Sequence, residues 1–196
     1  METLTALGGI GAAFGLSTSA GLNAYIPLLI VALAGRFPLN SPLLHLGEPY
    51  NALSSWWAIG VLVVLLLIET FVDKIPAVDT INDVIQTFIR PTAGAILFAA
   101  NANVITDISP VIAIIAGLLL AGSVHAAKGT VRPAVTVTTA GTGNWLVSII
   151  EDIIALFVSI LSILIPILMS LVLVGVILVI MLLYLRRRNK SYVYRP

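Results

Sequence analysis

The chain has 196 residues, 59% of them hydrophobic and only 10% charged, and its mean hydropathy of +1.10 lies far outside what a soluble core with a solvated surface requires. A net charge of +1 singles out no partner and suggests no nucleic acid, and the absence of cysteine removes disulfides, thiolate metal sites and cysteine nucleophiles together. The polar connections are too short to bury a core of their own, so no soluble catalytic domain fits beside the apolar runs.

The first uncharged run, Thr3 to Gly35, is too long for a simple span. Its centre, STSAGLNAYIP at residues 17 to 27, replaces Leu and Val with small and polar groups. Pro27 cannot donate to the preceding turn, while Ser17, Thr18, Ser19 and Asn23 can satisfy groups released by a break, which predicts a discontinuous first helix. The same stretch also reads as a packing face, with Gly11 and Gly15 forming GxxxG and Gly8, Ala12, Gly15 and Ser19 in line.

The second run, Pro49 to Ile68, ends in ETFVDKIP, which places Glu69 about one turn inside its end and Asp73 at i+4 on the same face. Two stacked carboxylates need a proton, a cation or a basic partner. Lys74 is adjacent but points about 100° away around the helix. Residues 77 to 90 form an amphipathic helix, with Asp79, Asp83, Gln86 and Arg90 opposite Ile81, Val84, Ile85 and Phe88. It is expected to lie along the membrane surface or to dip back as a re-entrant element. Pro91 then begins a short third span that ends in the polar AANANVITD.

The fourth span, from Ile108, ends in GSVHAAKGTVRP, with His125 and Lys128 one turn apart and Arg132 on the same side if the helix runs on to Pro133. An imidazole there can titrate, hold a metal or accept a carboxylate hydrogen bond. The fifth opens NWLVSIIEDIIALF, and Ser148, Asp152, Ala155, Ser159, Ser162 and Pro166 fall within about 80° of one another on a helix, a small polar stripe through an apolar segment. Its two readings are close helix packing and a hydrated path. The uncharged run from Ile153 to Leu185 would reach roughly 50 Å as one helix, against a hydrocarbon core of about 30 Å. A split at Pro166 makes it two.

Together these segments predict an all-α integral membrane protein of about six transmembrane helices, one domain over residues 1–196 with a basic cytoplasmic tail at 186–196. With both termini inside, Lys74, Arg90, Lys128, Arg132 and the tail are cytoplasmic and only Arg36 is outside. Glu69, Asp73, His125, Glu151 and Asp152 then share a depth in the cytoplasmic half, with Lys74, Lys128 and Arg132 as charge partners nearer the surface. Unpaired charges cannot face lipid cheaply, so they are expected to converge on a shared polar site.

GLNAYIP, ETFVDKIPAVD, TFIRP, VHAAK and EDIIAL occur in an order that resembles the bacterial membrane family catalogued as domain of unknown function 4126, over nearly the whole chain. The resemblance implies no activity, substrate or catalytic residue. GLSTSAGLNA at residues 15–24 can also be laid on GLLLAGSVHA at 117–126, which suggests a 3+3 inverted repeat with halves 1–106 and 107–185.

The expected function is a small transporter or channel-like protein of the cell, or inner, membrane. Asn23, Glu69, Asp73, His125, Glu151 and Asp152 would bind a cation or a proton-coupled solute, and Ser17, Ser19, Ser148, Ser159 and Ser162 would line a path or gate. The alternative is a lipid-handling or assembly protein whose charges organise helices and meet headgroups. No GxSxG, HExxH or P-loop pattern nominates an enzyme, and no cofactor is expected. Membrane lipids are the expected partners, and small-residue faces permit a homo-oligomer.

Overall fold

The computed structural model describes residues 2–37, 46–72, 76–102, 109–139 and 143–193, with side chains over 6–37, 46–72, 82–101, 109–139 and 143–186. All regular structure among them is helical: α1 (Glu2–Leu22), α2 (Tyr25–Arg36), a 3-10 turn (Tyr50–Ser54), α3 (Trp56–Val72), α4 (Pro76–Ala102), α5 (Pro110–Thr139), α6 (Asn144–Leu164) and α7 (Pro166–Val193). Three stretches, Pro110–Thr139, Asn144–Leu164 and Pro166–Arg186, are long and apolar enough to cross a membrane, and Ala6–Leu22, Tyr25–Arg36 and Trp56–Val72 are shorter apolar helices. This is a membrane protein, with large side chains such as Phe88, Leu171 and Val174 turned outward where lipid would lie.

α1 is the centre of the bundle and packs against α4, α5, α6 and α7. Its small residues make this possible, because helix association in lipid depends on close backbone approach. A Cβ at Gly11 would collide with the Pro166 carbonyl and Ser170, and one at Gly15 with Ser162 and Met169. The GxxxG face therefore seats the junction between α6 and α7, where Ser170 Oγ donates to the Leu7 carbonyl at 2.5 Å. That junction falls at Ile165, which leaves the helical region at φ −134°, ψ 63° ahead of Pro166. A proline disfavours helical geometry in the residue before it.

The first run also breaks, between Leu22 and Tyr25, so its packing face and its discontinuity coexist. The 77–90 segment differs from expectation in two ways. It is the first half of one helix that continues through Pro91 to Ala102, and Gln86 and Arg90 of its polar face point inward. Gln86 and Arg90 are each 1% exposed, whereas Val84 and Phe88 are 63% and 74% exposed. An interfacial helix has the opposite polarity, apolar side down and charges to water. Pro91 removes one backbone bond, the one to the Thr87 carbonyl, and the helix runs on through it; the flanking Thr87 and Thr92 hydroxyls donate to the Asp83 and Phe88 carbonyls at 2.9 and 2.7 Å. α5 likewise continues through Pro133 to Thr139, with Thr136 bonded to the Arg132 carbonyl at 2.9 Å.

α4 and α5 meet at Gly94 and Gly117. A side chain at Gly117 would strike the Gly94 carbonyl, with the Phe98 Cβ at 2.7 Å and the Ala95 Cα at 2.8 Å. Gly117→Val is expected to force these helices apart and to lower stability by about 1–3 kcal/mol, the usual range for overpacking, measured as a shift in the detergent-unfolding midpoint.

Candidate functional site

The site grows from the break in the first run. A helix end leaves carbonyls without partners and a helix start leaves N–H groups, and here the two ends meet inside the protein. Asn23 Oδ1 accepts the N–H groups of Tyr25 and Ile26 at 2.9 and 3.1 Å, capping the start of α2. At the end of α1, Lys128 Nζ donates to the Leu22 carbonyl at 3.3 Å, placing a cation where the helix dipole favours one. Asn23 Nδ2 donates to Asp152 Oδ1 at 2.9 Å, and Lys128 Nζ lies 2.7 Å from Glu151 Oε2, so consecutive acids on α6 are drawn to opposite sides of one break.

Charge then extends through α5 and α4. Arg132 reaches Asp83 Oδ2 at 2.9 Å and Glu151 Oε2 at 3.6 Å. Arg90 NH2 lies 3.0 Å from Glu69 Oε1, and the two side chains are 1% and 2% exposed. The other amino group of Arg90 is 3.3 Å from His125 Nδ1, whose Nε2 is 3.1 Å from Thr87 Oγ1. Gln86 lies beside the Tyr25 hydroxyl, close to Glu69 and Arg90. Gln86 Oε1 and Arg90 Nε are buried without a hydrogen-bond partner among the described residues.

Beside this network a pocket of about 300 Å³ opens between α4 and α5, lined by Asp83, Val84, Thr87, His125, Lys128, Gly129 and Arg132. Its polar wall presents three basic side chains and one acid, each also tied into the network behind it. Among the described residues no three His, Asp or Glu side chains gather to hold a metal.

Five of the six expected binding residues, Asn23, Glu69, His125, Glu151 and Asp152, thus belong to this region; Asp73, with the charge partner Lys74, lies outside the described residues. Lys128 and Arg132 are 7% and 6% exposed, both drawn into the network by their acidic partners. The serines sit on the α1 contacts. Ser17 donates to the Gly94 carbonyl at 2.9 Å, and Ser19 bonds the Ala155 carbonyl and Ser159, each at 2.8 Å. Ser162 bonds the Val158 carbonyl at 2.6 Å, and Ser148 is buried on the same stripe.

Sequence reasoning missed Arg90 as the partner of Glu69, and missed Asp83, Gln86, Thr87 and Tyr25 as members of the network. The signal was the shared wheel face of Asp83, Gln86 and Arg90, which reads correctly once that face is turned inward.

A family model described as domain of unknown function (DUF4126) matches residues 10–187. No curated protein and no solved structure matches the chain.

Proposed function

We propose a function for this chain from its own site, because it belongs to the DUF4126 family and that description carries no activity. The reading is a small multi-pass transporter or channel-like protein of the cell membrane, whose buried charge cluster serves a proton-coupled solute. The observation that carries it is the convergence of charges from α3, α4, α5 and α6 on a broken helix, beside an open polar pocket. Broken helices that present their ends to a polar site are a recurrent device of secondary transporters. The buried groups left over, Gln86 Oε1 and Arg90 Nε, support a working site, since a purely structural network gains by satisfying every member.

Proton coupling suits the geometry better than a bare cation seat. Glu69 and Glu151 already face a guanidinium and an ammonium, so an incoming cation would compete with charges the protein supplies. In this reading six spans cross the membrane, α1 and α2 making the first, with both termini and the basic tail cytoplasmic. Arg36 stacks 5.0 Å from the Trp56 ring centroid, and Trp57 is 87% exposed, an aromatic end fitting the opposite interface. The reading does not need the inverted repeat: Asn23 occupies a helix break, while its counterpart His125 lies within unbroken α5.

Purified protein in liposomes tests it. Solute flux driven by a proton gradient is expected, and Glu69→Gln and Asp152→Asn are expected to abolish it while the variants remain folded. Absence of flux for every solute tested, with normal assembly of both variants, sinks the reading. A lipid-handling role is the second reading, favoured by two adjoining apolar pockets of about 360 Å³ each that share Ile30 and Leu33 between α2 and α6. Scrambling of fluorescent lipids in the same vesicles separates the two.

A further inference from the structure

The hydrogen bonds around His125 have a fixed polarity. Arginine can only donate, so Nδ1, 3.3 Å from Arg90, must be the bare nitrogen that accepts. Thr87 Oγ1 donates its proton to the Asp83 carbonyl at 2.9 Å, so at His125 it accepts, and Nε2 carries the ring proton across 3.1 Å. Every member agrees on one neutral tautomer: Glu69 accepts from Arg90, Arg90 donates to His125, His125 to Thr87, and Thr87 to a backbone carbonyl. His125 also lines the open pocket, so water can reach the ring.

We infer that His125 Nδ1 is the proton-binding site of this protein, and that taking up a proton there releases Arg90 and opens the α4–α5 pocket towards Glu69. This rests on the transporter reading and names its coupling ion. A proton from pocket water adds to the Nδ1 lone pair, the ring becomes a cation with donors on both sides, and no other bond is made or broken. The new N–H then points at a guanidinium that has only donors, so hydrogen bond and charge both turn against the contact. The surroundings do not cancel this. On α4 the ring faces Arg90 and Asp83, and on its own α5 it faces Lys128 and Arg132. Asp83 is engaged by Arg132, Glu151 on α6 by Lys128, Asp152 on α6 by Asn23, and Glu69 on α3 by Arg90 itself. Released from His125, Arg90 loses one of the two contacts that hold it over Glu69. By linkage, a solute that favours the open pocket also favours protonation.

The test uses two readouts independent of transport. The chain has two histidines, so ¹⁵N-histidine labelling of a His45→Gln background in nanodiscs reports His125 alone. At neutral pH the spectrum is expected to show an unprotonated Nδ1 and a protonated Nε2. The chain has no cysteine, so spin labels at Val84→Cys and Gly129→Cys, on opposite walls of the pocket, report its width. That distance is expected to lengthen on acidification in step with ring protonation, and His125→Gln, an amide that takes no second proton, is expected to abolish the lengthening while retaining helical content. An Nδ1–H tautomer, or a widening that survives in His125→Gln or is absent from the protonated protein, overturns the inference. Proton-dependent widening without flux of any solute would sustain it and sink the transporter reading instead; flux with identical pH dependence in His125→Gln would do the reverse.

Discussion

Glu69→Ala is expected to destabilise this protein by ~3–5 kcal/mol, whereas Glu69→Met combined with Arg90→Met is expected to cost far less and to leave the fold intact. The asymmetry comes from burial. With side chains 1% and 2% exposed and 3.0 Å apart, the pair has already borne its desolvation. Removing the acid leaves a buried guanidinium without its counter-charge, beside Gln86, Tyr25 and His125. Removing both partners takes away the desolvation cost along with the attraction, and two methionines can fill much of the space. Denaturation in mixed micelles, followed by circular dichroism, measures both variants. Equal losses in the single and double variants would mean that the pair contributes more to the fold than its charges cost. The double variant also separates structure from function: if it folds but has lost proton-driven flux, the pair was kept for transport.

The position of the site was legible because of a one-sided rule. Acids along apolar segments have to turn away from lipid, so Glu69, Glu151 and Asp152 were expected to meet something polar in the interior, and the structure brings them to one network. Both helix breaks were legible for different reasons: the first from the small and polar residues of STSAGLNAYIP, the second from length alone, since LIPIL carries no polar turn residues and only Pro166 marks the place. The pairing was not legible. Lys74, the sequence neighbour of the acids, lies outside the described residues, and Glu69 pairs with Arg90, 21 residues away on the next helix. A helical wheel states which residues share a face and is silent on where that face points. The polar face of 77–90 fits water at a membrane surface as well as it fits a charged interior. What decides between them is continuity: no turn residue separates Arg90 from the apolar segment after Pro91, so a helix buried in its second half carries its first half into the bundle. The contacts of Lys128 and Arg132 were not legible for a related reason. Their flexible stems let the heads reach a carbonyl or carboxylate well away from their own backbone, and depth along the helix does not record that reach.

Asn23→Ala is the second substitution with a large expected effect, about 2–4 kcal/mol, because one side chain does three things at the break. It caps α2 through two N–H groups and donates to Asp152. Loss of a cap costs about 1–2 kcal/mol, and loss of one hydrogen bond by the part-buried Asp152 carboxylate about 1–2 kcal/mol more. Asn23→Ser divides these contributions. A serine at this position keeps an oxygen for the start of α2 but is too short to hold Asp152, so unfolding measurements are expected to recover about 1 kcal/mol relative to alanine. Flux is expected to stay low in both variants, since the contact between the broken helix and α6 is gone in each. If serine restores flux along with stability, the break matters only as a fold element and Asp152 is held by its other neighbours. If flux follows the Asp152 contact and not the cap, the discontinuity of the first run and the charge cluster form one device, in which helix ends that would otherwise be a liability in lipid serve as the floor of a polar site.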